Sequence, residues 1–159
     1  MLTKKAYQRM RILQKLKSFK VSKADLVTIY ILYIRSILEL NSPVWHFSLT
    51  KEDETNIERV QKVACYLILH EEYESYNQSL LSLGLNTLKS RREMLSLRFA
   101  KKCVKHPKAS KMFSLNHQVE KDFRSREKFS VQPAQTDRLL DSSIPQLQRA
   151  LNSLYKPKQ

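Results

Sequence analysis

Apolar residues recur along this chain at three- and four-residue spacing, the period of helices that bury one side. Leu2, Ala6, Met10, Leu13 and Leu16 share one face of a helix expected over residues 3–20, and Lys4, Arg11 and Lys15 fall on the opposite face. Ser22, with Asp25 three residues on, starts the next helix as a variant of the capping box. That helix, over 23–41, is apolar nearly all round and is expected at the centre of the core, with Tyr30 and Tyr33 both inside. Asn41-Ser42-Pro43 interrupts or bends it, because proline removes an N–H donor and crowds the preceding turn. Trp45 and Phe47 follow in a short connector expected to pack on the core.

Thr50 followed by Glu52, Asp53 and Glu54 marks another helix start, since acids in a first turn are favoured by the helix dipole. Ile57, Val60, Ala64 and Leu67 continue it as one stripe. Ser75 and Gln78 cap a short helix that Gly84 closes. Thr87 caps a long helix running to about Lys105 and ended by Pro107. Residues 106–136 are polar and aperiodic and read as a linker. Ser143 and Pro145 open a last short helix with Leu147, Ala150, Leu151 and Leu154 on one side. The pattern predicts an all-α fold: a small helical bundle over 1–105, a flexible polar linker over 106–136 and a loosely attached C-terminal helix over 137–155.

Composition narrows the function classes. At 159 residues and 42% hydrophobic the chain can build one domain with extensions. A single glycine excludes the phosphate-cradling loops that need several at fixed offsets, and argues against an all-β fold of tight turns. Two cysteines make no disulfide framework. The first 23 residues carry Lys and Arg throughout with no apolar signal core, so an intracellular location, nuclear or cytoplasmic, is expected. Asp25, Arg35 and Glu39 bracket an apolar run well short of the roughly 20 residues a membrane span needs, so no membrane partner is expected.

Charge changes the picture more. Lys and Arg number 29 against 15 Asp and Glu, a formal charge of +14, and it is unevenly placed. No acid precedes Asp25. A second basic block runs from Lys89 to Lys111 with Glu93 as its one acid, and an acidic patch of Glu52, Asp53, Glu54, Glu58, Glu71, Glu72 and Glu74 lies between the two. Clustered cations suit a polyanion, because phosphate backbones release counterions when neutralised. The candidate nucleic-acid-binding residues are Lys4, Arg11, Lys15, Arg91, Arg92, Arg98, Lys101, Lys102 and Lys105, with RNA or DNA backbone as partner. The plainer alternative is two solvated helix faces. Lys121, Arg124, Arg126 and Lys128 are interspersed with Asp122 and Glu127 and weigh less.

Catalytic chemistry has no foothold in the pattern. Glu52-Asp53-Glu54 sits where the helix dipole explains it, no Gly-x-Ser-x-Gly elbow is present, and no His-x-Asp pair could start an iron triad. A zinc site from Cys65, His70, Cys103 and His106 is disfavoured, since Cys65 and His70 would point roughly 140° apart on a continuous helix. No metal, cofactor or enzyme activity is expected. A rival reading from another class is a helical interaction module that binds a protein partner or a second copy through exposed apolar faces.

The stretch from Lys4 to Phe19 resembles the segment just after the catalytic palm of non-LTR (LINE-type) retrotransposon reverse transcriptases. Leu26 to Tyr33, Ser36-Ile37-Leu38-Glu39, Ser42-Pro43-Val44-Trp45-His46 and Leu49 to Asp53 continue the likeness. So do Ile57 to Lys62, Tyr76 to Leu85, Leu88 to Glu93, Phe99 to Cys103 and Arg138-Leu139, and Ser142 to Asn152 is similar to the end of such reading frames. The family's Ala-Asp-Asp type motif, fingers and palm have no counterpart in these residues. The resemblance therefore implies a thumb-like, post-palm fragment that grips template-primer and has no polymerase activity of its own. The first helices are also similar to a segment labelled as the N-terminal part of an AlkB-type alkylated-DNA-repair homologue, which would imply a tRNA-modifying dioxygenase and methyltransferase. The iron triad and glycine-rich cofactor loop of that activity are missing.

Overall fold

A computed structural model describes residues 2–113, 129–131, 133 and 135–155. The fold is all-α, and no β-strand occurs among the described residues. The helices are α1 (Leu2–Ser18), α2 (Lys23–Ile29), α3 (Ser36–Glu39), α4 (Ser42–Trp45), α5 (Lys51–Leu69), α6 (Tyr76–Ser82), α7 (Leu88–Lys105), α8 (Asp137–Leu140) and α9 (Ser143–Tyr155). Between α2 and α3 the chain does not break but widens into a π-helical stretch, Tyr30–Arg35.

The chain divides into two compact units, residues 1–42 with 49–92, and residues 43–48 with 93–159. This replaces the expected boundaries at 105/106 and 136/137. The division falls inside α7, at Arg92/Glu93, where no break in helical pattern could announce it.

In the first unit α1 packs on α5 and on the α2–π–α3 run. Ala6, Met10 and Leu13 are its buried face, as their spacing requires. Tyr30, Ile34 and Leu38 form the buried ridge of the middle run. Tyr33, expected inside, is on the surface: the Arg9 guanidinium lies 4.2 Å from its ring centroid, and Arg9 Nη1 donates to its carbonyl at 2.8 Å. That double contact ties α1 onto the wide turn, where an extra residue per turn rotates Tyr33 off the core face.

The helix ends follow their chemistry. Ser22 Oγ accepts from the Asp25 N–H, Ser75 Oγ from the Gln78 N–H, and Thr50 and Asp53 form a reciprocal capping box. α1 closes with the Val21 N–H reaching the Leu16 carbonyl at 3.3 Å, with Lys20 at φ +57°. Gly84 takes φ +62° after α6, and a Cβ there would meet nothing, so its backbone angle alone asks for glycine. Asn41 and His70 take positive φ beyond α3 and at the end of α5.

A buried polar network fixes where α7 starts. The Tyr30 hydroxyl donates to Gln61 Oε1 at 2.7 Å, and Gln61 Nε2 donates to the Tyr76 hydroxyl and the Asn86 carbonyl, each at 2.9 Å. Tyr76 in turn donates to Glu58, whose carboxylate also accepts the Leu88 N–H at 3.2 Å. Gln61 is fully buried with its donors and acceptor used, which is the condition for a stabilising polar core group.

The second unit has its own small core of Ala100, Phe113, Phe129, Leu147 and Leu151, with Phe47, Leu97, Cys103 and Val104 packed against it. Phe113 and Phe129 lie inside the stretch expected to be a linker; they meet edge to face at 6.5 Å. Nor is the last helix loosely attached. Asn152 accepts from the Phe129 N–H at 2.9 Å and donates to its carbonyl at 3.0 Å, and Gln148 Nε2 donates to the Met112 carbonyl at 2.8 Å. Phe113 and Phe129 stand in polar, aperiodic sequence, so periodicity alone cannot flag them as core residues. Residues 114–128 of the expected linker lie outside the described residues, and so do its cations Lys121, Arg124, Arg126 and Lys128.

Candidate nucleic-acid interface

The nine candidate cations meet different fates. In the first unit Lys4, Arg11 and Lys15 are exposed on α1. At about 100° per residue they fall within a roughly 40° arc, opposite Ala6, Met10 and Leu13. No acid occurs on α1, and none of the three makes an ion pair with a described residue. Their field reaches solvent uncancelled.

Lys17, two residues past Lys15 and on the opposite side of α1, is spent differently. Its ammonium donates to the Leu67 carbonyl at 2.5 Å and the Ile68 carbonyl at 3.3 Å, meeting the negative end of the α5 dipole. Burial lowers its pKa, against the opposing pull of Glu71 and Glu72.

Arg91 and Arg92 leave the candidate set. Arg91 makes a bidentate pair with Glu39, Nε at 2.6 Å and Nη2 at 3.0 Å, and that hydrogen bonding raises its pKa. Glu39 also holds Arg35 at 3.4 Å, whose pKa burial and the Arg91 charge lower. The Arg92 side chain is only 1% exposed, with Nη2 3.9 Å from Glu54. Lys89 reaches the same carboxylate at 3.3 Å. These cations neutralise Glu39 and Glu54 inside the first unit, and no phosphate can reach Arg92 without unpacking it. Their run in the sequence looked like one block with 98–105 because sequence does not reveal which carboxylates the fold returns to them.

In the second unit Arg98, Lys101, Lys102 and Lys105 are all exposed. They occupy one side of α7, a roughly 100° arc centred about 150° from buried Ala100, and none makes an ion pair with a described residue. Lys102 and Lys105 stand in the last turn, where cations also complement the helix dipole.

Other chemistry is sparse. Among the described residues no group of three or more His, Cys, Asp or Glu could hold a metal ion. Cys65 is buried, and burial pushes its thiol up to about 11; Cys103 is raised for the same reason. Such thiols stay protonated and unreactive at neutral pH. No helix among the described residues is long and apolar enough to cross a membrane. Among protein-family models, curated proteins and solved structures, none matches the chain.

Proposed function

We propose that this chain binds RNA or DNA backbone with little sequence preference, through the Lys4–Arg11–Lys15 stripe of α1 and the Arg98–Lys101–Lys102–Lys105 stripe of α7. One observation carries this reading: seven exposed cations stand in two stripes, one in each unit, with no described carboxylate paired to any of them. Such stripes gain by counterion release when they meet a phosphate backbone. The resemblance to the template-primer-gripping, post-palm region of LINE-type reverse transcriptases points the same way, and with it the proposal includes no catalytic step.

Anisotropy titration of the full chain against labelled duplex DNA and single-stranded RNA over 50–200 mM salt tests it. Engaging about six phosphates gives a log–log slope near −5 on duplex DNA and a shallower one on single strands. The triple variant K4A/R11A/K15A should weaken all sequences alike and reduce the slope by up to about three. Absence of affinity for both RNA and DNA at 50 mM salt overturns the proposal and leaves the stripes as solvated surface.

A further inference from the structure

We infer that the α1 stripe takes its nucleic acid as a single strand, with bases stacked on Phe19 and Tyr7. The inference rests on the backbone-binding reading and names the form of polymer that this stripe prefers. Phe19 is 78% exposed, the most exposed aromatic among the described residues, and Tyr7 is 39% exposed. The α1 ending explains why Phe19 has no use in the core. The Val21-to-Leu16 hydrogen bond folds the chain back and half-buries both of those apolar residues, while Phe19, immediately before the left-handed Lys20, stays outside.

Position on the helix gives the arrangement its sense. Tyr7 and Phe19 fall roughly 60° to either side of the Lys4–Arg11–Lys15 line, about 18 Å apart along the axis. Cations in the middle and an aromatic at each flank match a strand whose phosphates follow the cations while its bases turn sideways. A duplex keeps its bases stacked on one another and offers these rings only its sugar-phosphate edge. Aromatic stacking on unpaired bases is sequence-tolerant, in keeping with the absence of any groove-reading motif. An anionic lipid surface is the competing use of cations beside exposed rings. It is disfavoured by the exposed polar residues Gln8 and Ser18 along the cation line and by the separation of the apolar side chains it would insert, with Tyr7 on one flank and Ile12 and Phe19 on the other.

The test compares four probes on the full chain: a 20-nucleotide poly-dT strand, an abasic strand of equal length, a 20-base-pair duplex, and vesicles containing anionic lipid. Wild type should bind poly-dT about tenfold or more tighter than the abasic strand. The variant Y7A/F19A, checked by circular dichroism and melting for an intact fold, should lose that advantage while its duplex affinity and salt slope stay unchanged. An unchanged preference for poly-dT over the abasic strand in Y7A/F19A overturns the stacking inference and leaves backbone binding standing. Equal binding of poly-dT and the abasic strand by wild type does the same. Loss of vesicle binding in Y7A/F19A with poly-dT binding intact reassigns the rings to lipid and also overturns it. If wild type binds none of the nucleic acids at 50 mM salt, backbone binding fails first and the stacking inference falls with it.

Discussion

The two parts of α7 on either side of Arg92/Glu93 both carry clustered positive charge and put it to opposite uses. Over Leu88–Arg92 the cations fold inward: Arg91 to Glu39, and Arg92 and Lys89 to Glu54. Over Glu93–Lys105 Arg98, Lys101, Lys102 and Lys105 stand in solvent with no described counter-charge. The difference lies in the acids rather than the bases. Glu39 and Glu54 come from distant parts of the sequence, brought to the start of α7 by tertiary packing. A paired, half-buried arginine is part of the fold's own electrostatics; an unpaired surface lysine is free to meet something else.

The contrast can be broken most forcefully at Arg92. Replacing this buried side chain in R92A removes packing and leaves Glu54 short of a partner, with an expected loss of about 3 kcal/mol measured by urea unfolding. Arg92→Leu should recover part of it, and neither change should alter the salt slope of nucleic-acid binding. E39A removes the shared carboxylate of Arg35 and Arg91, with an expected loss of about 1–3 kcal/mol. It would also make the first half of α7 resemble the second, because a released Arg91 can add up to about one to the salt slope. If E39A leaves stability unchanged, the inward pairing has no structural weight.

Alkaline pH should separate the halves as well. The start of α7 hangs on the Glu58–Tyr76–Gln61 network beside buried Cys65. Burial raises the Tyr76 phenol above its ordinary value of 10, helped by its hydrogen bond to Glu58, and raises the Cys65 thiol from 9 to about 11. Both groups hold their protons longer folded than unfolded, so their stabilising contribution is complete below pH 9; the Cys65 share is lost as pH rises through about 11, and the Tyr76 share declines from pH 10 upward. Urea midpoints should fall from pH 8.5 toward pH 10.5, and Y76F/C65A should flatten that decline. An equally steep decline in the double variant would place its origin elsewhere.

The smallest effect on stability is expected in the exposed half. K101A/K102A should change unfolding free energy by no more than about 0.5 kcal/mol, yet reduce the duplex salt slope by up to about two. Stability loss without a change in slope would reverse the roles assigned to the two halves.

Local chemistry was readable along the chain where it is set by neighbours in sequence. The caps at Ser22, Thr50 and Ser75, the turn at Gly84 and the basic face of α1 all depend on residues within one or two turns. What sequence concealed was set by distant partners. The pairing of Arg91 and Arg92 depends on Glu39 and Glu54, and the burial of Phe113 and Phe129 depends on Leu147, Leu151 and Asn152 from α9. The π-helical stretch also gave no signal. Its residues satisfy an ordinary apolar helix pattern, and the partners that separate exposed Tyr33 from buried Tyr30, Arg9 for one and Gln61 for the other, come from distant parts of the sequence.

The scarcity of glycine has a consequence for anyone who wants a hardier version of this molecule. Lys20, Asn41 and His70 each adopt positive φ at a helix end, a backbone shape that side chains resist by roughly 1 kcal/mol and asparagine by less. Lys20 is exposed and makes no described ion pair, and His70, also exposed, would give up its ring contact with Tyr66, 6.4 Å between centroids. Glycine at these two sites would relieve that resistance, offset in part by the greater freedom it gives the unfolded chain. Firmness can thus be added at two helix ends, with the interior and the cationic stripes left as they are.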